Sequence, residues 1–308
     1  MNVVITGATG FIGRKLVSRL LVEGHAVLAL TRNVEAARLR LPERCGCVLW
    51  NPPDGPEPRV LQTADAIVHL AGEGVAERRW TRARRQAIRQ SRVAGTHALV
   101  TAVAALDPAA RPPVLISASA VGYYGDRGDE RLDEGTRPGN DFLARVCQEW
   151  EKEALAAQVL GVRTVVVRIG IVLGKGGGAL EKILPPFRLG LGGRLGSGRQ
   201  WMSWIHLDDL ASLLMFLIGH RAAAGSINAV APVPVTNAAF ASALGRALGR
   251  PTVLPVPAIA LRLALGEMST VLLASQRVLP RAAERLGFVF RYPELGSALA
   301  ELCAVGGR

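Results

Sequence analysis

The sequence predicts an α/β fold: a doubly wound parallel sheet with helices on both faces, followed by a smaller, mostly helical C-terminal subdomain. Three observations carry this. Apolar, β-branched runs alternate with stretches of helical spacing from the first residues to about residue 170. Several of those runs are apolar throughout, as strands covered on both faces are. A glycine-rich turn stands at the first strand-to-helix junction.

In order, Val3 to Thr6 reads as a strand, and Phe11 to Val22 as a helix with Ile12, Leu16, Leu20 and Leu21 on one face, ended by Gly24. Ala26 to Leu30, Cys47 to Trp50 and Ala66 to Leu70 are the next strands. A long basic helix covers Arg82 to Leu106, Val114 to Ser117 is the fifth strand, Leu143 to Ala157 a helix, and Thr164 to Ile169 the sixth strand. The expected strand order is 3-2-1-4-5-6. Beyond Gly170, the glycine-rich segments 174–178 and 190–198 read as a mobile wall over a cleft. From Pro232 the chain turns helical between scattered prolines, which divides it into a nucleotide domain at 1–232 and a small domain at 233–308.

Composition narrows the function classes. The chain is 49% hydrophobic and 20% charged, the balance of a folded soluble enzyme. Its net charge of +12 comes from arginines spread along the sequence, densest from Arg78 to Arg92. That cluster suits a local anion site, a cofactor phosphate or an acidic substrate, so no nucleic-acid partner is expected. Cys45, Cys47, Cys147 and Cys303 form no CxxC pair and have no histidine at ligand spacing, so neither disulfide nor metal is expected. Leu210 to Ile218 is too short to cross a bilayer, and the first strand leaves no room for a signal peptide. The expectation is a cytoplasmic protein with a small-molecule substrate and no membrane partner; a homodimer stays open.

Gly7-Ala8-Thr9-Gly10-Phe11-Ile12-Gly13 is a GxxGxxG turn that leaves a strand and opens a helix. In that setting the glycines allow a tight turn, close approach of backbone N–H groups to a pyrophosphate, and close helix-on-strand packing. The second strand ends in Leu30-Thr31-Arg32-Asn33, with no acid before Glu35. An acid there would bind ribose hydroxyls. Arg32 instead suits a 2′-phosphate, with Thr31 as a hydrogen-bond donor, which selects NADP(H) over NAD(H).

The loop Thr6 to Gly13, His69-Leu70-Ala71-Gly72 and Trp204 to Leu210 resemble the extended short-chain dehydrogenases/reductases, the nucleotide-sugar epimerase/dehydratase group. Leu70 to Val75, Arg78-Arg79-Trp80, Ser117 to Gly125, Val167 to Gly174, Leu184 to Gly193 and Asn228 to Pro232 together resemble its atypical "epimerase family protein" branch, over essentially the full length. The resemblance implies a Rossmann domain binding NADP and a C-terminal domain of unknown function. It implies Gly7, Thr9, Gly10, Phe11, Ile12 and Gly13 at the phosphates and Thr31 and Arg32 at the adenosine phosphate. Leu70, Ala71 and Gly72 would line the ribose and adenine side, and Arg92, Ser117 and Val172 complete the cofactor contacts.

Ordinary members carry Tyr-x-x-x-Lys on the helix after the fifth strand, the tyrosine working as acid/base and the lysine lowering its pKa. Here no tyrosine precedes any of Lys15, Lys152, Lys175 and Lys182 at that spacing, and Leu143 and Cys147 fall at the two positions. Ser119 with Tyr123 or Tyr124 is the candidate catalytic replacement; the alternative is that these aromatics pack beneath the loop. Glu73 either acts as a base or pairs with Arg78 or Arg79. His206 reads as structural, and Asp208 as the N-cap of the helix through Leu210 to Ile218. Trp201 and Trp204 either stack on a ligand or lie in the core. Two functions follow: an NADP-dependent oxidoreductase or epimerase with unconventional acid/base groups, or an NADP-binding protein without turnover.

Overall fold

The computed structural model describes residues 1–304. The chain runs β1 (Asn2–Thr6), α1 (Phe11–Val22), β2 (Ala26–Thr31), α2 (Val34–Arg38), β3 (Gly46–Leu49), β4 (Ala66–His69), α3 (Arg82–Ala104), β5 (Val114–Ala120), β6 (Arg131–Leu132), α4 (Phe142–Leu155) and β7 (Arg163–Ile169). It continues with β8 (Ile171–Leu173), α5 (Gly178–Arg188), β9 (Trp201–Met202), β10 (Trp204–His206), α6 (Leu207–Gly219), β11 (Gly225–Ala229) and β12 (Val235–Thr236). The C-terminal part holds α7 (Asn237–Leu248), α8 (Ala258–Leu265), α9 (Thr270–Leu273), β13 (Arg277–Val278), α10 (Arg281–Arg285) and α11 (Leu295–Cys303).

Seven strands form one sheet in the order β11-β7-β5-β4-β1-β2-β3, every neighbouring pair parallel. This is the expected Rossmann order with one strand added at the edge. The two-residue alternation of a strand sorts its side chains to opposite faces. Val3 and Ile5 of β1 meet α1 and α6 through Leu16, Leu20, Leu210 and Leu214, whereas Val4 joins the core beneath α3 with Leu99 and Val103. The apolar run from Leu210 is therefore a helix buried on the sheet. Among the described residues no helix is long and apolar enough to cross a membrane.

Chain reversal puts the later segments back on the sheet's carboxyl end. β8 pairs with β10, β9 with β12, and β13 returns to β6, so the C-terminal elements are interleaved with the loops after β5 and β7. Asp208 is not the cap of α6. The His206 ring is: its Nδ1 accepts the Asp208 N–H at 3.1 Å, while the Asp208 carboxylate reaches Lys15 at 2.5 Å. The His206 ring lies 4.0 Å from that of Tyr292, and its Nε2 faces Glu301 of α11 at 3.3 Å, a structural tie between the two parts of the chain.

Candidate functional site

β1 ends in a fully buried Thr6, and Gly7 takes φ +69°, a backbone region closed to side chains at low cost. A Cβ on Gly7 would lie 2.7 Å from the Leu70 carbonyl carbon, and one on Gly13 only 2.3 Å from the Gly7 oxygen. The turn is thus pressed between the ends of β1 and β4, the crevice where open sheets bind ligands. Gly10 begins α1 without a side-chain cap, and the first turn holds no acid. Uncapped N–H groups with a positive helix end make an anion cradle.

Behind this turn a hydrogen-bond relay fixes the β4 wall. Ala71 N–H donates to Thr6 Oγ1 (3.2 Å), which lies 2.7 Å from His69 Nδ1; His69 Nε2 lies 2.9 Å from Thr96 Oγ1, which donates to the Arg92 carbonyl at 2.7 Å. With the Thr96 proton committed, His69 donates through Nε2 and accepts through Nδ1, so the ring is neutral. Burial lowers its pKa from 6.5 to about 4. A histidine that must stay neutral when folded stabilises fully above the unfolded pKa and loses that contribution as pH falls toward 4. Urea unfolding should show about 3 kcal/mol of stability lost between pH 6.5 and 4 through this residue, a slope that His69→Gln removes.

On the near side of the crevice, Phe11 is ringed by glycine. Cβ atoms on Gly174, Gly177 and Gly178 would lie 2.8, 2.6 and 2.6 Å from its ring, and Arg14 donates to the Gly176 carbonyl at 3.2 Å. Of the two segments expected as a mobile wall, 174–178 is a collar on the glycine turn and the start of α1; its glycines serve close approach. Val172 of β8 underlies this collar, half-buried beside Ile205. Leu70 and Ala71 are half-buried and Gly72 exposed, with the Arg92 guanidinium 3.3 Å from where a Gly72 Cβ would stand. Arg92 donates to the Glu73 carbonyl at 2.9 Å and covers the Trp150 ring. At the other end Arg32 is exposed and makes no ion pair with a described residue. Asn33 caps α2 through Ala36 N–H (2.9 Å), and Asn33 N–H donates to Thr31 Oγ1 at 3.3 Å, so the turn presents Arg32 outward.

The catalytic candidates are placed less favourably. Ser117 and Ser119 share one face of β5, the face covered by α3 and α4. Ser117 is fully buried, its hydroxyl 3.4 Å from the Ala118 carbonyl. Ser119 is 3% exposed and donates to Glu151 Oε1 at 2.7 Å. The same carboxylate takes Arg168 Nε at 2.9 Å and Nη2 at 2.8 Å. Arg168 in turn donates to Tyr124 Oη (3.0 Å), which donates to Asn228 Oδ1 (2.8 Å). Burial raises the Tyr124 pKa to about 12. Burial also opposes the Arg168 charge, but the hydrogen bonds and charge of Glu151 outweigh it and hold its pKa above the usual value. Ser119 and Tyr124 therefore belong to a closed polar knot under the sheet's end. Tyr123 is half-buried, with Arg168 Cζ 3.5 Å from its ring centroid. It is the one candidate hydroxyl outside the knot.

Glu73 pairs with Arg84 (2.8 Å), in the first turn of α3, and not with Arg78 or Arg79. Arg84 also holds Glu77 and the Gly74 carbonyl, so this arginine of the expected basic cluster is internally neutralised. Cys147 is buried, its thiol pushed up to about 11 by desolvation. Trp204 is wholly core, and Trp201 donates to Asp129 at 2.7 Å under Arg277. Sequence reasoning missed the His69 relay and the Glu151–Arg168 pair. The signal for both was a polar residue directly after an apolar run in a strand, His69 after Ala66 to Val68 and Arg168 after Val165 to Val167.

Known proteins share this fold. Residues 3–230 match the model of the NAD dependent epimerase/dehydratase family, and residues 256–302 that of a domain of unknown function, DUF1731. The epimerase family protein MT2273 of Mycobacterium tuberculosis is 44% identical over 299 residues, covering 96% of each chain. The mouse epimerase family protein SDR39U1 is 38% identical over 99% of this chain and 100% of its own length. The crystal structure of human SDR39U1 with NADPH superposes with a TM-score of 0.86 at 35% identity, covering 98% of this chain and 99% of that one. The chain thus belongs to the NAD dependent epimerase/dehydratase family, as a homologue of the epimerase family proteins of the SDR39U1 type that carry DUF1731.

Proposed function

We propose that this chain binds NADP(H) and acts as an oxidoreductase or epimerase-like enzyme on a small hydroxyl or carbonyl compound, without a Tyr–Lys pair. The observation that carries the cofactor half is the uncapped, acid-free start of α1 at the glycine turn, together with an unpaired Arg32 ending β2. The human relative's NADPH supports the same choice. The cradle fits a pyrophosphate, because Gly7 and Gly13 leave backbone where a Cβ would clash. Bound there, the nicotinamide would supply or take up a hydride. Tyr123 would hold the proton for the substrate oxygen, since Ser119 and Tyr124 are spent on Glu151 and Asn228.

Arg32→Ala should weaken NADPH binding about tenfold and leave NADH unchanged, the loss of one charge-assisted contact. Unchanged discrimination in a calorimetric titration would remove Arg32 from the account. For the chemical half, NADPH oxidation against a panel of aldehydes and ketones should be abolished by Tyr123→Phe. Leu143 and the neutral Cys147 at the dyad positions favour a second reading, a cofactor-occupied protein without turnover. Tight NADPH binding with no oxidation across the panel is its result.

A further inference from the structure

Residues 186–196 and 249–266 are joined through contacts between 190–196 and 251–258. Val256 N–H donates to the Arg194 carbonyl (2.9 Å), Gly196 N–H to the Val256 carbonyl (2.8 Å), and Leu195 and Val256 form a parallel bridge. Gly193 lets the Leu254 backbone approach so closely that a Cβ would overlap it. The paired segments end in α8, Ala-Ile-Ala-Leu-Arg-Leu-Ala-Leu, which contains no buried residue. Among the described residues it is the one α-helix of eight residues or more for which this holds.

The apolar side chains of this face stand in solvent. Leu189 is 74% exposed, Val253 75%, Ile259 69% and Leu263 74%. Singly, such residues need no explanation; gathered on two bridged segments they mark a contact surface. Its charge is of one sign. The two segments carry Arg188, Arg194, Arg250 and Arg262 and not one Asp or Glu. All four arginines are exposed, and none makes an ion pair with a described residue. The neighbouring Glu267 is taken by Arg85 of α3 at 2.5 Å. On α8 itself Ile259, Arg262 and Leu263 stand at i, i+3 and i+4, one face of the helix.

We propose that this face docks peripherally on an anionic lipid surface, with Ile259, Leu263, Leu189 and Val253 entering the headgroup boundary and the four arginines meeting lipid phosphates. Exposed apolar residues among unpaired cations are the pattern of an interfacial helix, in which basic side chains extend toward the headgroups. A second copy fits poorly, because a two-fold contact sets this patch on itself and brings arginine against arginine without a carboxylate between. Nucleic acid fits poorly too, since the segments hold no Trp or Tyr on which bases could stack. The expected absence of a membrane partner rested on the lack of a spanning segment, which a peripheral contact does not need.

Sedimentation of the full chain with phosphatidylcholine–phosphatidylglycerol vesicles tests this, with pure phosphatidylcholine vesicles as the second arm. The expected result is association with the anionic vesicles alone, weakened by salt. Ile259→Glu with Leu263→Glu, or Arg188→Glu with Arg262→Glu, should each lower it about tenfold or more. These side chains are solvent-exposed, so both variants should retain wild-type melting temperature and NADPH affinity, which separates lost docking from lost folding. No vesicle association, or association indifferent to both pairs, overturns the proposal. A solution dimer that the apolar pair dissociates, in a chain that ignores vesicles, also overturns it and assigns the face to a second copy.

Discussion

Gly13→Ala is expected to abolish measurable NADPH binding and to destabilise the chain by about 3 kcal/mol. Two effects oppose each other at this position. Alanine is the better helix former by about 1 kcal/mol, and Gly13 lies in the first turn of α1. Against that, its Cβ would meet the Gly7 oxygen at 2.3 Å and the Ala8 Cα at 2.7 Å, both backbone atoms that no rotamer change can clear. The turn must open, and opening it moves the N–H groups that form the anion cradle. Gly219→Ala separates the two effects. It ends α6 with nothing within 4 Å of a new Cβ, so it should gain stability from helix propensity alone and leave NADPH binding unchanged. Calorimetric titration and urea unfolding of both variants read the two quantities. Normal binding by Gly13→Ala would mean that the turn is not the phosphate site.

Arg168→Met should cost about 3–5 kcal/mol in urea unfolding, the second large effect. The Arg168 and Glu151 side chains are 4% and 6% exposed, so neither charge has water to fall back on. Removing one leaves the other buried and unpaired; loss of Arg168 also takes a donor from Tyr124, and loss of Glu151 takes the acceptor of Ser119. Glu151→Leu should be comparably harmful. The double variant should be better than the sum of the singles, because it leaves no orphan charge. Additive losses would mean that the two residues act separately.

How much of this was legible in the sequence depended on whether the signal was local. The geometry of the glycine turn was, because its glycines, the strand before it and the helix after it are contiguous. Arg32 was, because strand ends are readable and no acid competes before Glu35. The seventh strand, Gly-Ser-Ile-Asn-Ala at 225–229, escaped notice because it has a single large apolar residue and stays in the sheet by pairing with β7 alone. The partner of Ser119 was hidden for a different reason. Strand alternation places it with Ser117 on the face that α4 covers, but only the fold shows that Glu151 waits there. Glu73 chose Arg84 over the nearer Arg78 and Arg79 because α3 begins at Arg82 and its first turn points Arg84 back at the β4 loop. The glycines at 174–178 gave no hint that the Phe11 ring, more than 160 residues earlier, was what they make room for.

On the proposed function, the glycine turn and Arg32 make this a site for NADP(H). Paired calorimetric titrations of the wild-type chain with NADPH and NADH test it most directly. NADPH should bind about tenfold tighter or more, the worth of a charged contact to the 2′-phosphate. Equal affinities, tighter NADH, or no binding of either would contradict it.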